Sequence, residues 1–175
     1  MKRRLIFLIG YRGAGKTTVA RLLAEKLGWR WLDADAVLEE RAGKSIRQIF
    51  TDDGEPAFRD LESAVLRDLG TLEEHVIATG GGVVLREENR AILKKGIVVW
   101  LRAPADVLWQ RMQSDLTTTE RRPDLTQGGL AEIEEMLRVR EPLYEACRDV
   151  VVEVENQTPA DIAAMVPVMA GEAPG

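Results

Sequence analysis

The stretch Gly10-Tyr11-Arg12-Gly13-Ala14-Gly15-Lys16-Thr17 constrains this chain more than any other. It meets the spacing G-x-x-x-x-G-K-[ST] at every fixed position. Before it stands the apolar run Leu5–Ile9; after it, Val19, Leu22, Leu23 and Leu27 fall on one helical face. In a strand–loop–helix unit of this kind, glycines let backbone N–H groups wrap phosphate at a helix N-terminus that favours negative charge. Lys16 then reaches the β- and γ-phosphates, and the Thr17 hydroxyl serves magnesium. The chain is expected to bind a nucleoside triphosphate.

The rest of the chain repeats the same rhythm. Apolar runs at 29–33, 76–79, 97–101 and 150–154 read as four further strands. Helical patterns at 36–42, 46–50, 57–69, 87–95, 105–113, 130–146 and 161–168 separate or follow them. Such alternation predicts an α/β fold, a parallel sheet with helices on both faces. Continuous Val, Ile and Leu in the strands agree, because a sheet covered on both sides need not alternate polar residues. At 175 residues the chain is expected to be one domain over 1–170, with 171–175 as a tail. The irregular stretch 113–129 is long for a connection and reads as a functional loop, a lid.

Charge and cysteine content exclude several classes. A formal charge of −5 argues against broad nucleic-acid binding, which shows as a basic surplus. Met1-Lys2-Arg3-Arg4 before Leu5–Ile9 resembles a secretory leader, but Gly10 and Arg12 end the apolar run early. No stretch approaches the roughly 20 apolar residues of a spanning helix. The single cysteine, Cys147, excludes an internal disulfide and suits a reducing compartment. The expectation is a cytoplasmic protein with no membrane and no nucleic-acid partner. Cys147 and the tryptophans Trp29, Trp31, Trp100 and Trp109 read as packing residues, and His75 lacks the companions of a metal site.

Proteins with this loop usually order magnesium with an acid at the end of another strand. The run at 76–79 ends instead in Gly80-Gly81-Gly82, and the run at 97–101 ends in Arg102. The acids at a strand end are Asp33 and Asp35. Ligands of open parallel sheets sit at the carboxyl ends of the strands, so both carboxylates are expected at the site. One would lie near the metal and the other accept a proton from an attacking hydroxyl, while Asp35 also suits a helix N-cap. Three consecutive glycines after a strand imply a close approach of backbone to something. Arg59 and Glu62 share a helix face, so the acid can hold the guanidinium in one pose; Arg140 is a second candidate anion clamp.

Taken together, these residues resemble the shikimate kinases over 5–167. The resemblance rests on 10–17, the pair Asp33 and Asp35, Phe58-Arg59 with Glu62, 80–82, Arg122-Pro123 and Arg140-x-Pro142-Leu143-Tyr144. It implies the nucleoside monophosphate kinase type of fold: three layers, α/β/α, with a five-stranded parallel sheet ordered 2-3-1-4-5. The implied reaction is transfer of the γ-phosphoryl group of ATP to the 3-hydroxyl of shikimate, with Mg2+, on the route to aromatic amino acids. By resemblance, Gly13, Ala14, Gly15, Lys16, Thr17 and Thr18 hold the ATP phosphates, and Thr17 with Asp33 serves the metal. Asp35 contacts the substrate hydroxyls as candidate base. Arg59 and Arg140 grip the carboxylate, and the backbone N–H of Gly81 completes that pocket. Arg122 is the lid arginine, Arg111 flanks adenine, and the enzyme is a monomer. Arg121-Arg122-Pro123-Asp124-Leu125-Thr126 resembles the longer-lid members of the family.

Overall fold

Each of the five apolar runs becomes a strand of one parallel sheet: β1 (Leu5–Ile9), β2 (Arg30–Asp33), β3 (His75–Ala78), β4 (Ile97–Arg102) and β5 (Val150–Glu153). Their order is β2-β3-β1-β4-β5, as the family resemblance implied. The computed structural model describes residues 3–114 and 128–171. Most of the expected lid, including Arg122, therefore lies outside the described residues, as does the tail beyond 171.

β1 runs through the middle of the sheet, with Ile6 opposite Val76 on one side and Ile97 on the other. Successive side chains of a strand point to opposite faces. Leu5, Phe7 and Ile9 accordingly join one core with Ile77, Val98 and Trp100, while Ile6 and Leu8 join the other with Val76 and Val99. Full burial of each such side chain contributes about 1.5–3 kcal/mol.

Helices cover both faces. They are α1 (Lys16–Leu27), α2 (Ala34–Ala42), α3 (Ile46–Asp52), α4 (Gly54–Leu69), α5 (Glu87–Leu93), α6 (Ala105–Ser114), α7 (Gly129–Cys147) and α8 (Pro159–Met169). A short 3-10 helix, Val83–Leu85, follows the glycine triplet. α7 changes sides: Ile133 and Leu137 belong to the core with α1 and α8, Tyr144 and Cys147 to the core with α4 and α5. Arg140 sits between those two groups.

α4 starts at Gly54 rather than at 57, and three further expectations change. α2 starts at Ala34 rather than at 36, because Asp33 and not Asp35 is its N-cap, accepting from Asp35 N and Ala36 N. α8 starts at Pro159 rather than at 161, where Thr158 and Asp161 form a capping box and proline takes a first-turn position. Trp31 is 38% exposed rather than packed, because it stands on β2, the strand that the expected order already puts at the sheet edge. Trp29 and Trp109 do pack against a core, and Trp100 is buried in β4.

Candidate active site

The loop between β1 and α1 reverses the chain with φ of 140°, 88° and 91° at Gly10, Gly13 and Gly15, a region L side chains rarely enter. Gly15 is the α1 N-cap and makes no side-chain cap, and the first turn of the helix holds no acid. Its N–H groups and positive dipole end are thus available to an anion. Lys16 Nζ lies back over the same loop, donating to Gly10 O at 2.6 Å and Tyr11 O at 3.0 Å. Thr18 is exposed one residue beyond Thr17. Arg111 of α6 buttresses the loop from behind, with contacts of 3.4 Å to Ala14 O and to Val154 O at the end of β5.

β2 delivers Asp33 and Asp35 to the same end of the sheet. Asp33 Oδ1 accepts from Asp35 N at 2.9 Å and Ala36 N at 3.2 Å, while Oδ2 accepts from Thr17 Oγ1 at 2.8 Å. Asp35 lies in the first turn of α2, half-buried. Among the described residues no cluster of three or more His, Cys, Asp or Glu is formed that would hold a metal by itself. The donors at hand are the Thr17 hydroxyl and the Asp33 carboxylate. That hard, all-oxygen pair fits magnesium, which takes one or two protein oxygens and completes its octahedron with phosphate oxygens and water.

The glycine triplet after β3 receives two arginines. A Cβ on Gly82 would clash with the Arg59 guanidinium, and one on Gly81 would stand 3.3 Å from Arg140 Nη1. The close approach expected at this triplet is therefore made by guanidinium groups. Arg59 is 8% exposed and donates to buried Glu62 at 2.8 Å across one turn of α4, the pairing expected from their spacing. Its other nitrogen reaches Glu55 at 3.5 Å, and the guanidinium lies over the Phe58 ring.

Arg140 differs from Arg59. It is 5% exposed, and its guanidinium stands 5.7 Å from the centre of the Tyr11 ring. Among the described residues no carboxylate pairs with it. A buried charge without a counter-ion is costly, so this guanidinium is poised for an anion. Tyr144, four residues further along α7, donates to Gly81 O at 2.5 Å and is fully buried. Burial pushes its phenol well above the ordinary tyrosine range, against the pull of Arg140. The roles of Tyr11 and Tyr144 were not read from the sequence, although the four-residue spacing of Arg140 and Tyr144 places them on one helix face.

The structure thus brings together, at the carboxyl ends of the strands, a phosphate loop, an acid pair and two arginines on a glycine turn. A family profile described as shikimate kinase matches residues 12–169. A shikimate kinase of Rhodopirellula baltica is 44% identical over 164 residues, covering 93% of this chain and 88% of that protein. One of Parasynechococcus marenigrum is 46% identical over 161 residues, covering 91% and 82%. The structure of shikimate kinase from Acinetobacter baumannii in complex with shikimate superposes with a TM-score of 0.90 at 36% identity, covering 97% of this chain and 94% of that one.

Proposed function

The chain belongs to the shikimate kinase family, and on that premise we propose how its residues divide the reaction. The enzyme transfers the γ-phosphoryl group of ATP to shikimate, giving shikimate 3-phosphate and ADP. The observation that carries the assignment of roles is the buried Arg140 guanidinium, beside Gly81 and without a carboxylate partner among the described residues. Shikimate brings the missing carboxylate.

Arg59 and Arg140 bind that carboxylate, and the Gly81 N–H adds a donor from the turn they share. Glu62 holds Arg59 in one pose through its 2.8 Å bond, which leaves the remaining guanidinium edge directed by α4. Asp35 aligns the 3-hydroxyl and takes its proton. Phosphoryl transfer has a loose transition state, so alignment contributes as much as proton removal.

On the nucleotide side, the N–H groups of Gly13, Ala14 and Gly15 cradle the phosphates, and the Thr17 and Thr18 residues open the helix toward them. Lys16 exchanges the carbonyls of Gly10 and Tyr11 for β- and γ-phosphate oxygens, where negative charge reorganises during transfer. Thr17 and Asp33 would hold Mg2+, and the ion would supply charge neutralisation at the phosphates. Arg111, already against Ala14 O, flanks the adenine. Arg122, which lies outside the described residues, is the arginine that would meet the transferring phosphoryl group.

No helix among the described residues is long and apolar enough to cross a membrane. The same reading takes the enzyme as a cytoplasmic monomer. The test is ADP release with shikimate, quinate, gluconate or AMP as acceptor, with and without Mg2+. Turnover with shikimate and Mg2+ is expected; a preference for another acceptor overturns the assignment.

A further inference from the structure

The glycine turn after β3 has three carbonyls, two restrained from within the turn and one from α7. Gly80 O accepts from Val83 N at 3.2 Å and Gly82 O from Leu85 N at 3.1 Å, both within the turn. Gly81 O instead accepts from Tyr144 Oη, 63 residues away on α7. Three consecutive glycines have little conformational preference of their own, so this external bond decides how the Gly81–Gly82 peptide is turned.

Tyr144 is itself immobilised. Its ring packs 5.5 Å from the ring of Trp100, at 37°, in the centre of β4. Burial holds the phenol in its protonated, donating form. One turn earlier on the same face, Arg140 bears on the same glycine. α7 therefore supplies both the charge that meets an acceptor carboxylate and the hydroxyl that orients the backbone beside it.

We propose that Tyr144 is a positioning residue for shikimate: its hydroxyl fixes the Gly81–Gly82 peptide in register with the Arg140 guanidinium, so that the carboxylate pocket exists before the substrate arrives. This rests on the reading of Arg59, Arg140 and Gly81 as that pocket. Tyr144→Phe keeps the ring against Trp100 and removes the donor, leaving Gly81 O buried and unmatched. The pocket then has to be organised by the substrate, and preorganisation is lost as affinity.

The experiment compares Tyr144→Phe, Arg140→Ala and the parent chain in steady-state kinetics, varying shikimate and ATP separately. Tyr144→Phe is expected to raise the KM for shikimate about 5–30-fold and leave the KM for ATP within about twofold. A merely structural tyrosine would leave the shikimate KM unmoved or shift both KM values in parallel, and either result overturns the proposal. If Arg140→Ala leaves the shikimate KM unchanged, the carboxylate pocket itself has been misread. If Arg140→Ala raises it and Tyr144→Phe does not, the positioning role alone fails. Should Tyr144→Phe not fold, the parent chain still decides. It has two tyrosines, so 3-fluorotyrosine gives two fluorine resonances, assigned with Tyr11→Phe. Before shikimate is added, the Tyr144 resonance is expected to be a single line displaced from its position in urea; a resonance that is averaged or split in the free chain and becomes single only on saturation with shikimate overturns the proposal.

Discussion

Thr17 and Asp33 meet at 2.8 Å, and the acid divides its two oxygens between two tasks. Oδ2 faces the Thr17 hydroxyl while Oδ1 caps α2. One side chain thus ties the phosphate loop's helix to the helix that carries Asp35. The acid moved from its usual strand has two attachments at the site, and substitutions can separate them.

Asp33→Asn keeps an oxygen for the cap and loses the charge. Its thermal stability is expected near that of the parent chain, with the Mg2+ concentration for half-maximal rate raised at least about tenfold, the loss of one charged ligand. Asp33→Ala loses both functions, and a cap deletion adds about 0.5–2 kcal/mol of destabilisation. Melting curves and Mg2+ titrations of initial rate read the two effects separately. A parent-like Mg2+ dependence in folded Asp33→Asn would reduce Asp33 to a cap.

The N-cap of α2 is Asp33 and not Asp35, so the two carboxylates can be substituted separately. Asp35→Asn is therefore expected to fold normally and to lower kcat about 10²–10⁴-fold, the range for a positioned base. Single-turnover rates with saturating shikimate and ATP check this. Near-normal turnover would show that alignment by the neighbouring groups suffices.

Much of this site is legible in the sequence because its parts are local. The loop at 10–17 carries its own spacing, and Arg59 with Glu62 are one helical turn apart. Asp35 suits a cap by residue type, yet Asp33 makes it, because the choice depends on where β2 releases the chain, which spacing alone does not encode. Trp31 is exposed although a tryptophan is expected to pack: the order of the sheet places its strand at the edge, and residue type alone does not say which side chains of an edge strand stay uncovered. The bond from Tyr144 to Gly81 joins segments 63 residues apart, and no local pattern announces such a contact. The place of Arg122 rests on the family resemblance alone, and the residue lies outside the described residues.

Cys147, the last residue of α7, is buried, and burial pushes its thiol above the ordinary range despite nearby Arg90 and Lys94. The thiolate is the reactive form, so a disulfide reagent at pH 8 is expected to label the native chain far more slowly than the chain in urea. The sign for stability follows. The folded state holds this proton more tightly than the unfolded state does. Its contribution is therefore full below the unfolded thiol's value of ~8.5 and lost as pH rises beyond it. Urea midpoints at pH 7 and 9.5 should fall accordingly in the parent chain, and less in Cys147→Ala. Equal labelling rates in native and unfolded chains would contradict the buried placement.

The two arginines of the glycine turn do not offer equally clean tests. Arg59 is paired with buried Glu62, so Arg59→Ala strands an acid in the core and confuses binding with stability. Arg140 has no such partner among the described residues, and its truncation removes a charge that shikimate would otherwise satisfy. Arg140→Ala is expected to weaken shikimate binding about 10–150-fold, the effect of losing a charge-assisted contact of roughly 1.5–3 kcal/mol. Arg140→Lys should recover part of this, because an ammonium cannot make the paired fork to a carboxylate. The carboxamide of shikimate lacks the charge and should bind the parent chain weakly from the outset. Arg140→Ala should then cost the amide much less than it costs the acid. ATP affinity measured without shikimate should change much less, since Arg140 meets the phosphate loop at the Tyr11 ring and not at the N–H groups of 13–15. Isothermal titration with acid and amide, on both variants, gives the four affinities of the cycle. Equal losses for acid and amide would mean that Arg140 supports the fold through Tyr11 and Gly81 rather than binding the substrate, and the assignment of the carboxylate pocket would fall with it.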